Sequence, residues 1–224
     1  MHVDPNANVG PVMRTLSETL AAMADRPLPA AVARKTSQHI LDTLGAMVTG
    51  ARLLPGQRAI ALAERLGGAP EACVAGTGLR VPVMHAAMTN GMTAHADETD
   101  DSHSAGFWHP GCAVVPAALA LGEHRGVSGQ RFLTAVAMGY DIGSRINLLL
   151  GARDFSRLQH KSTHNVGGNF GAHAACGVVA GFDPARMRWL MAYAAQQASG
   201  TFAWQRDTAH IQKAVDLGGM SGRK

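Results

Sequence analysis

The window His95-Ala96-Asp97-Glu98-Thr99-Asp100-Asp101-Ser102-His103, followed by Trp108-His109-Pro110-Gly111, holds four of the sixteen acidic residues within five positions and three of the eleven histidines. Its flanks are apolar, Met84 to Met92 before and Ala113 to Leu121 after. Carboxylates held between buried helices repel and raise one another's proton affinity, which is how a site acquires an acid and a base together. The plainer reading is a solvated loop whose charges favour a helix start near Pro110. Two chemistries compete for the window. His95, Asp97, Asp101, His103 and His109 could assemble a divalent-metal site, although their spacing matches no standard signature such as H-E-x-x-H. The other is metal-free acid–base work, in which an imidazole or carboxylate takes a proton from carbon and a second group protonates the leaving oxygen.

A second cluster runs from Gln159 through His160, His164, Gly167, Gly168 and Asn169 to Gly171. Glycines ahead of a small-residue helix offer backbone N–H groups to an anion. They equally suit a tight helix–helix approach, which Ala172, Ala174, Ala175 and Gly177 call for in any case. His173 and His124 read as surface or satisfied core residues. Lys213 is one of only four lysines and lies between Ile211 and Val215. A partly buried lysine serves as a base or a carboxylate clamp; spacing alone favours a solvated one.

The elements that must position these groups are helical almost throughout, because apolar residues recur at three- and four-residue steps. Val12, Leu16, Leu20 and Met23 follow Pro11. Val32, Ile40, Leu41, Leu44, Met47 and Val48 follow Pro29, with Gly50 expected just past the helix end. A third helix fits Pro55 to Leu66, stopped by Gly67-Gly68. Residues 72–81, with Gly76-Thr77-Gly78 at their centre, predict a small hairpin or extended loop. Pro82 opens a helix through Met92. Pro110 starts another that is kinked at Pro116 or begins after it. Ser128 caps a long helix through Leu150, and Asp183-Pro184 starts the last one, ended by Gly200. After Trp204, residues 211–224 read as a loop heading towards a further helix, with nothing to pack on.

Composition agrees. The chain is 46% hydrophobic but only 5% aromatic, with 39 alanines, 26 glycines and eleven methionines among 224 residues, and its mean hydropathy is zero. That is an all-α class built by small-residue helix packing. No apolar run approaches the ~20 residues of a membrane span, Met1 to Asn6 show no signal peptide, and Cys73, Cys112 and Cys176 form no disulfide framework. A cytoplasmic protein is expected. Residues 1–144 carry ten basic against twelve acidic side chains, and residues 145–224 ten against four. The arginines stand singly, which suits discrete carboxylates rather than a nucleic acid.

The chain resembles the MmgE/PrpD family, which includes 2-methylcitrate dehydratase, cis-aconitate decarboxylase and iminodisuccinate epimerase. The resemblance runs through Leu28-Pro29, Asp42-Thr43-Leu44-Gly45, Asn90-Gly91, Ala94-His95, Asp100-Asp101-Ser102-His103, His109-Pro110-Gly111, Gly167 to Gly171 and Lys213. It implies that residues 1–224 are the helical N-terminal half, with the family's C-terminal α+β domain absent. It also implies a homodimer or a second chain bringing that domain, and no cofactor or metal. Residue by residue it assigns catalytic roles to His109, Asp101, Glu98 and Lys213, and substrate binding to Ser102, Asp100 and His164, with His160 the alternative to His164. Glu98 stands where the family has an aspartate, one methylene shorter, and Ser102 where it has a threonine. The implied chemistry is proton loss from a carbon beside a carboxylate. His109 acts as base or acid, tuned by Glu98 and Asp101, and Lys213 with Arg153, Arg157 or Arg206 stabilises the anion. The leading expectation is a 2-methylcitrate dehydratase-like hydro-lyase on a small polycarboxylate, without nucleic-acid or membrane partners. A decarboxylase, an epimerase, a catalytically incomplete helical subunit and a metal-dependent hydratase are the alternatives.

Overall fold

The computed structural model describes residues 9–201 and 206–224; Met1 to Asn6 and Trp204 lie outside them. The described chain is a helical domain with one two-stranded ribbon. Helices α1 (Pro11–Met23), α2 (Ala30–Gly50) and α3 (Leu54–Leu66) precede strands β1 (Ala72–Cys73) and β2 (Arg80–Val81). Then come α4 (Val83–Ala94), α5 (Gly111–Arg125), α6 (Gly129–Leu149), α7 (Arg153–Gln159), α8 (Thr163–Ala180) and α9 (Pro184–Gln197). The chain ends in one helical run: α10 (Ile211–Lys213), a π-wound segment (Ala214–Gly219) and α11 (Met220–Arg223). No helix among the described residues is long and apolar enough to cross a membrane.

Local signals set most boundaries. Ser128 Oγ accepts the Arg131 N–H at 3.2 Å, and Asp183 Oδ1 accepts that of Arg186 at 2.8 Å, each meeting a donor that the first turn leaves open. The hairpin forms with Ala72 opposite Val81 and Cys73 opposite Arg80. Asn90 of α4 ties it down: its side-chain amide accepts from Ala75 N and donates to the Cys73 carbonyl, both at 2.9 Å.

Three expectations need correction. Gly50 is not a left-handed terminator but the buried last residue of α2, where a Cβ would run into the Thr93 carbonyl of α4. Of the two starts open for α5, the structure has the earlier one, Gly111 directly after Pro110 with Pro116 inside the helix, because Asp101 Oδ1 accepts the Gly111 N–H at 2.8 Å and fixes the start there. Gly167, Gly168 and Gly171 lie inside α8, where intrahelical bonding engages the backbone N–H groups that an anion would need. Their use is packing: a Cβ on Gly171 would lie 2.8 Å from the Gly139 carbonyl of α6. Finally, residues 211–223 are helical and dock on α4, with Lys213, Ala214, Leu217, Gly218 and Gly219 buried.

The core follows from side-chain size. Helices α4, α5 and α8 bury most of their residues, chiefly alanine, valine and glycine. Small side chains contribute little area each, so the stabilisation comes from close backbone approach and dense dispersion contacts. Trp108 is the large exception, 2% exposed, with its ring against the glycine-lined faces of α6 and α8 and its indole N–H on Ser144 Oγ at 3.3 Å. That anchor fixes the residue after it, His109.

Candidate active site

The loop between α4 and α5 meets the start of the terminal helical run, at His210 and Lys213, and carries most of the ionisable groups. His109 is the most central of them, in contact with His95, Asp101 and His164. Its Nδ1 donates to the Asp101 carbonyl at 3.0 Å, leaving the Nε2 lone pair available. Its ring stacks on His164 at 5.1 Å between centroids and tilts against His95 at 4.8 Å. Burial lowers the His109 pKa below the ordinary 6.5; Asp100 opposes that, and the charges of His95 and Lys213 reinforce it. His164 is buried and pushed well below 6.5, by desolvation first and then by His109, His95 and Lys213. His160 is exposed, so the histidine at the site is His164.

The adjacent aspartates face opposite ways. Asp100 has a fully buried side chain and receives His95 Nδ1 at 2.9 and 3.1 Å. Burial alone would raise its pKa, but the His95 hydrogen bond and charge, with His109, hold it down. The substrate contact implied for Asp100 is not available in this arrangement, because its oxygens are turned inward. Asp101 accepts from Gly111 N and Tyr140 Oη at 2.8 Å each and faces His39 Nδ1 at 2.7 Å. It pins α2, α5 and α6 together and meets His109 through its backbone alone. Burial raises its pKa despite those donors. Ser102 is exposed and makes no side-chain hydrogen bond among the described residues.

On the solvent side, Glu98 Oε1 accepts from Lys213 Nζ. The solvated lysine favoured by spacing is instead buried, 8% exposed. His210 Nδ1 lies 3.5 Å from the same Glu98 oxygen, while its Nε2 donates to the His95 carbonyl at 2.9 Å. Of the three arginines considered, Arg153 is tied to the site's surroundings: its guanidinium lies 4.3 Å over the Phe107 ring, which meets His164 edge-on at 5.6 Å.

Among the described residues, two groups have donor atoms within 4.8 Å of one another and could hold a cation, His95–Asp100–His109 and His95–Glu98–His210. Of the five residues weighed for a metal in the sequence, only His95 and His109 come together. Asp97 closes a local turn on Thr99, and His103 accepts the Gly106 N–H. Sequence reasoning missed His39, Tyr140 and His210. The first two join Asp101 only through packing of α2 and α6, and nothing in their spacing signals it.

The buried histidines make stability acid-sensitive. His109, His164 and His173 all titrate below 6.5 in the folded protein. As pH falls through about 6.5 the unfolded chain binds protons that the folded one does not, so stability present above 6.5 is lost below it. The slope is up to about 1.4 kcal/mol per pH unit for each histidine. Glu98 and Asp100, with lowered pKa values, add losses only below about 4. Thermal melts at pH 7.5 and 5.5 check this; an equal or higher midpoint at 5.5 contradicts it.

A cis-aconitate decarboxylase-like protein of Aspergillus oryzae is 28% identical over 213 residues, covering 92% of this chain and 44% of that protein. The cis-aconitate decarboxylase of Aspergillus terreus is 30% identical over 211 residues, covering 90% of this chain and 42% of that protein. The chain therefore spans less than half the length of these relatives. The family description "MmgE/PrpD N-terminal domain" matches residues 14–223, taking in the acidic loop, the buried histidines and Lys213 alike. With that match over nearly every described element, the chain belongs to the MmgE/PrpD family.

Proposed function

We propose that the chain supplies the helical part of the active site of a lyase acting on small polycarboxylates. The observation that carries this reading is His109: tied at Nδ1, open at Nε2 and kept neutral by burial, it is a general base for carbon acids. Nε2 takes a proton from the carbon beside a carboxylate, and the electron pair moves into that carboxylate. Lys213, whose charge is felt at both His109 and His164, offsets the anion. Expulsion of hydroxide, which takes a proton and leaves as water, completes a dehydration. Reprotonation on the other face completes an epimerisation. In a decarboxylation no proton is abstracted: the bond to a carboxylate breaks, carbon dioxide leaves, and the electron pair takes a proton from His109, which has first taken one from solvent.

The names of the Aspergillus relatives support an unsaturated tricarboxylate as substrate more than 2-methylcitrate. A panel of cis-aconitate, 2-methylcitrate and iminodisuccinate tests this, with carbon dioxide release and loss of each acid as readouts. Turnover of cis-aconitate with carbon dioxide release is expected; turnover of 2-methylcitrate alone returns the dehydratase. The share of the relatives that the chain spans favours a second reading, a subunit that binds the acid but needs a partner for turnover. Binding without turnover identifies it. Neither binding nor turnover of any of the three overturns both.

A further inference from the structure

Glu98 and Lys213 hold an unusual relation for a site that must receive carboxylates. The ammonium is buried, its side chain 10% exposed, whereas the carboxylate resting on it is 41% exposed. A buried ammonium is expensive to leave without an anion, and Glu98 supplies that anion from the solvent side. The position is built. Glu98 has φ of 59°, a left-handed conformation that costs a non-glycine residue about 1 kcal/mol or more. His210, itself at φ 56°, is anchored on the His95 carbonyl and lies against the same carboxylate oxygen. Two strained residues thus hold one carboxylate over one ammonium.

Resting on the proposed polycarboxylate chemistry, we infer that Glu98 is a specificity residue that occupies Lys213 as a stand-in for the substrate carboxylate and must be displaced when substrate binds. Both carboxylates seek the same cation, so they exclude one another. Glu98 is the partner able to leave, because it is the more exposed of the two and sits on a loop. A ligand is admitted only if it brings a carboxylate to replace the one it expels, which disfavours uncharged analogues. Its apparent affinity is lowered by the fraction of time that Glu98 is in place. The extra methylene relative to an aspartate matters, since it gives the side chain its reach to the ammonium. Glu98 is anionic in this role: burial would raise its pKa, but the Lys213 hydrogen bond and charge, with His95 and His210, hold it low.

The test is isothermal titration of the purified protein and its variants with cis-aconitate and with saturated tricarballylate, which lacks the double bond. Glu98→Gln keeps the shape and removes the charge, and is expected to tighten both acids about tenfold or more. Glu98→Asp withdraws the carboxylate and is expected to tighten them several-fold, a second readout should the glutamine variant fold poorly. Lys213→Gln is expected to abolish binding. If it does, but Glu98→Gln binds equally or more weakly, the stand-in role is overturned and the reading of Lys213 survives. If Lys213→Gln binds as the parent does, the reading of the site falls and takes the inference with it. If the parent binds neither acid, binding by Glu98→Gln supports the inference, and its absence there too overturns it.

Discussion

His109→Asn should lower kcat by roughly 10²–10⁴-fold with little change in the melting temperature. Asparagine keeps a donor near the position of Nδ1, so the bond to the Asp101 carbonyl can persist, and it removes the Nε2 that the proposed mechanism uses. The ring is not a keystone of the core: its side chain is 15% exposed and its neighbours His95 and His164 have their own surroundings. A loss of stability near 1 kcal/mol is the most that one imperfect hydrogen bond explains. For a reaction that begins with proton abstraction, the parent's kcat/KM should fall as pH drops below the lowered pKa of His109, because protonation consumes the base; for a decarboxylation, which uses the imidazolium, it should fall as pH rises above it, and the residual activity of the variant should lack either limb. Circular dichroism melts and a pH series of initial rates check both halves. A folded variant retaining a tenth or more of the parent kcat rules His109 out as the base.

Gly218→Val should produce the largest loss of stability, of order 3 kcal/mol or more. Gly91 in α4 and Gly218 in the π-wound segment meet backbone to backbone, and a Cβ on either would run into the other's main chain. Neither can yield as a flexible side chain would. The same contact sets the distance between the loop carrying Glu98 and the helix carrying Lys213, so the valine variant should also lose polycarboxylate binding. Gly45→Ala is the control: it lies on the exposed face of α2 with nothing within 4 Å of a new Cβ. That change should add about 0.5–1 kcal/mol by helix propensity. Chemical denaturation of the two variants beside the parent decides it, and equal midpoints for Gly218→Val and the parent remove the crossing from the account.

The π winding belongs to this crossing. It leaves the Asp216 carbonyl accepting from Asn165 Nδ2 at 3.0 Å and Ser221 Oγ at 3.4 Å, so side chains of α8 and α11 meet a backbone group within the irregular turn. Lys213 immediately precedes it. An ordinary helical period predicts neither the irregular turn nor the inward direction of the lysine, which is why a solvated lysine was the simpler expectation from spacing.

The motif residues that carry the family resemblance divide by task. Asn90 and Gly91 are structural: one brackets the hairpin and the other admits the terminal helical run. Asp101 is a fastener whose backbone, not its carboxylate, addresses His109. Glu98, His109, His164 and Lys213 are the groups gathered at one place. Residue type alone could not separate these tasks, because Asp100 and Asp101 are chemically identical and adjacent.

What the sequence determined by itself is local. The helix starts at Ser128 and Asp183, the stop at Gly67, the hairpin over 72–81 and the helical class all follow from capping, turn chemistry and apolar period, which act within a few residues. The acidic window between apolar flanks was equally legible, since crowding of charge is visible in one dimension. The tertiary structure alone decided which way each charge faces. The choice of His164 over His160, the burial of Lys213 against Glu98 and the turning of Asp101 onto His39 and Tyr140 each join residues far apart in the chain. Such contacts depend on how closely alanine- and glycine-rich helices approach, and that distance is a property of packed pairs, not of any single segment.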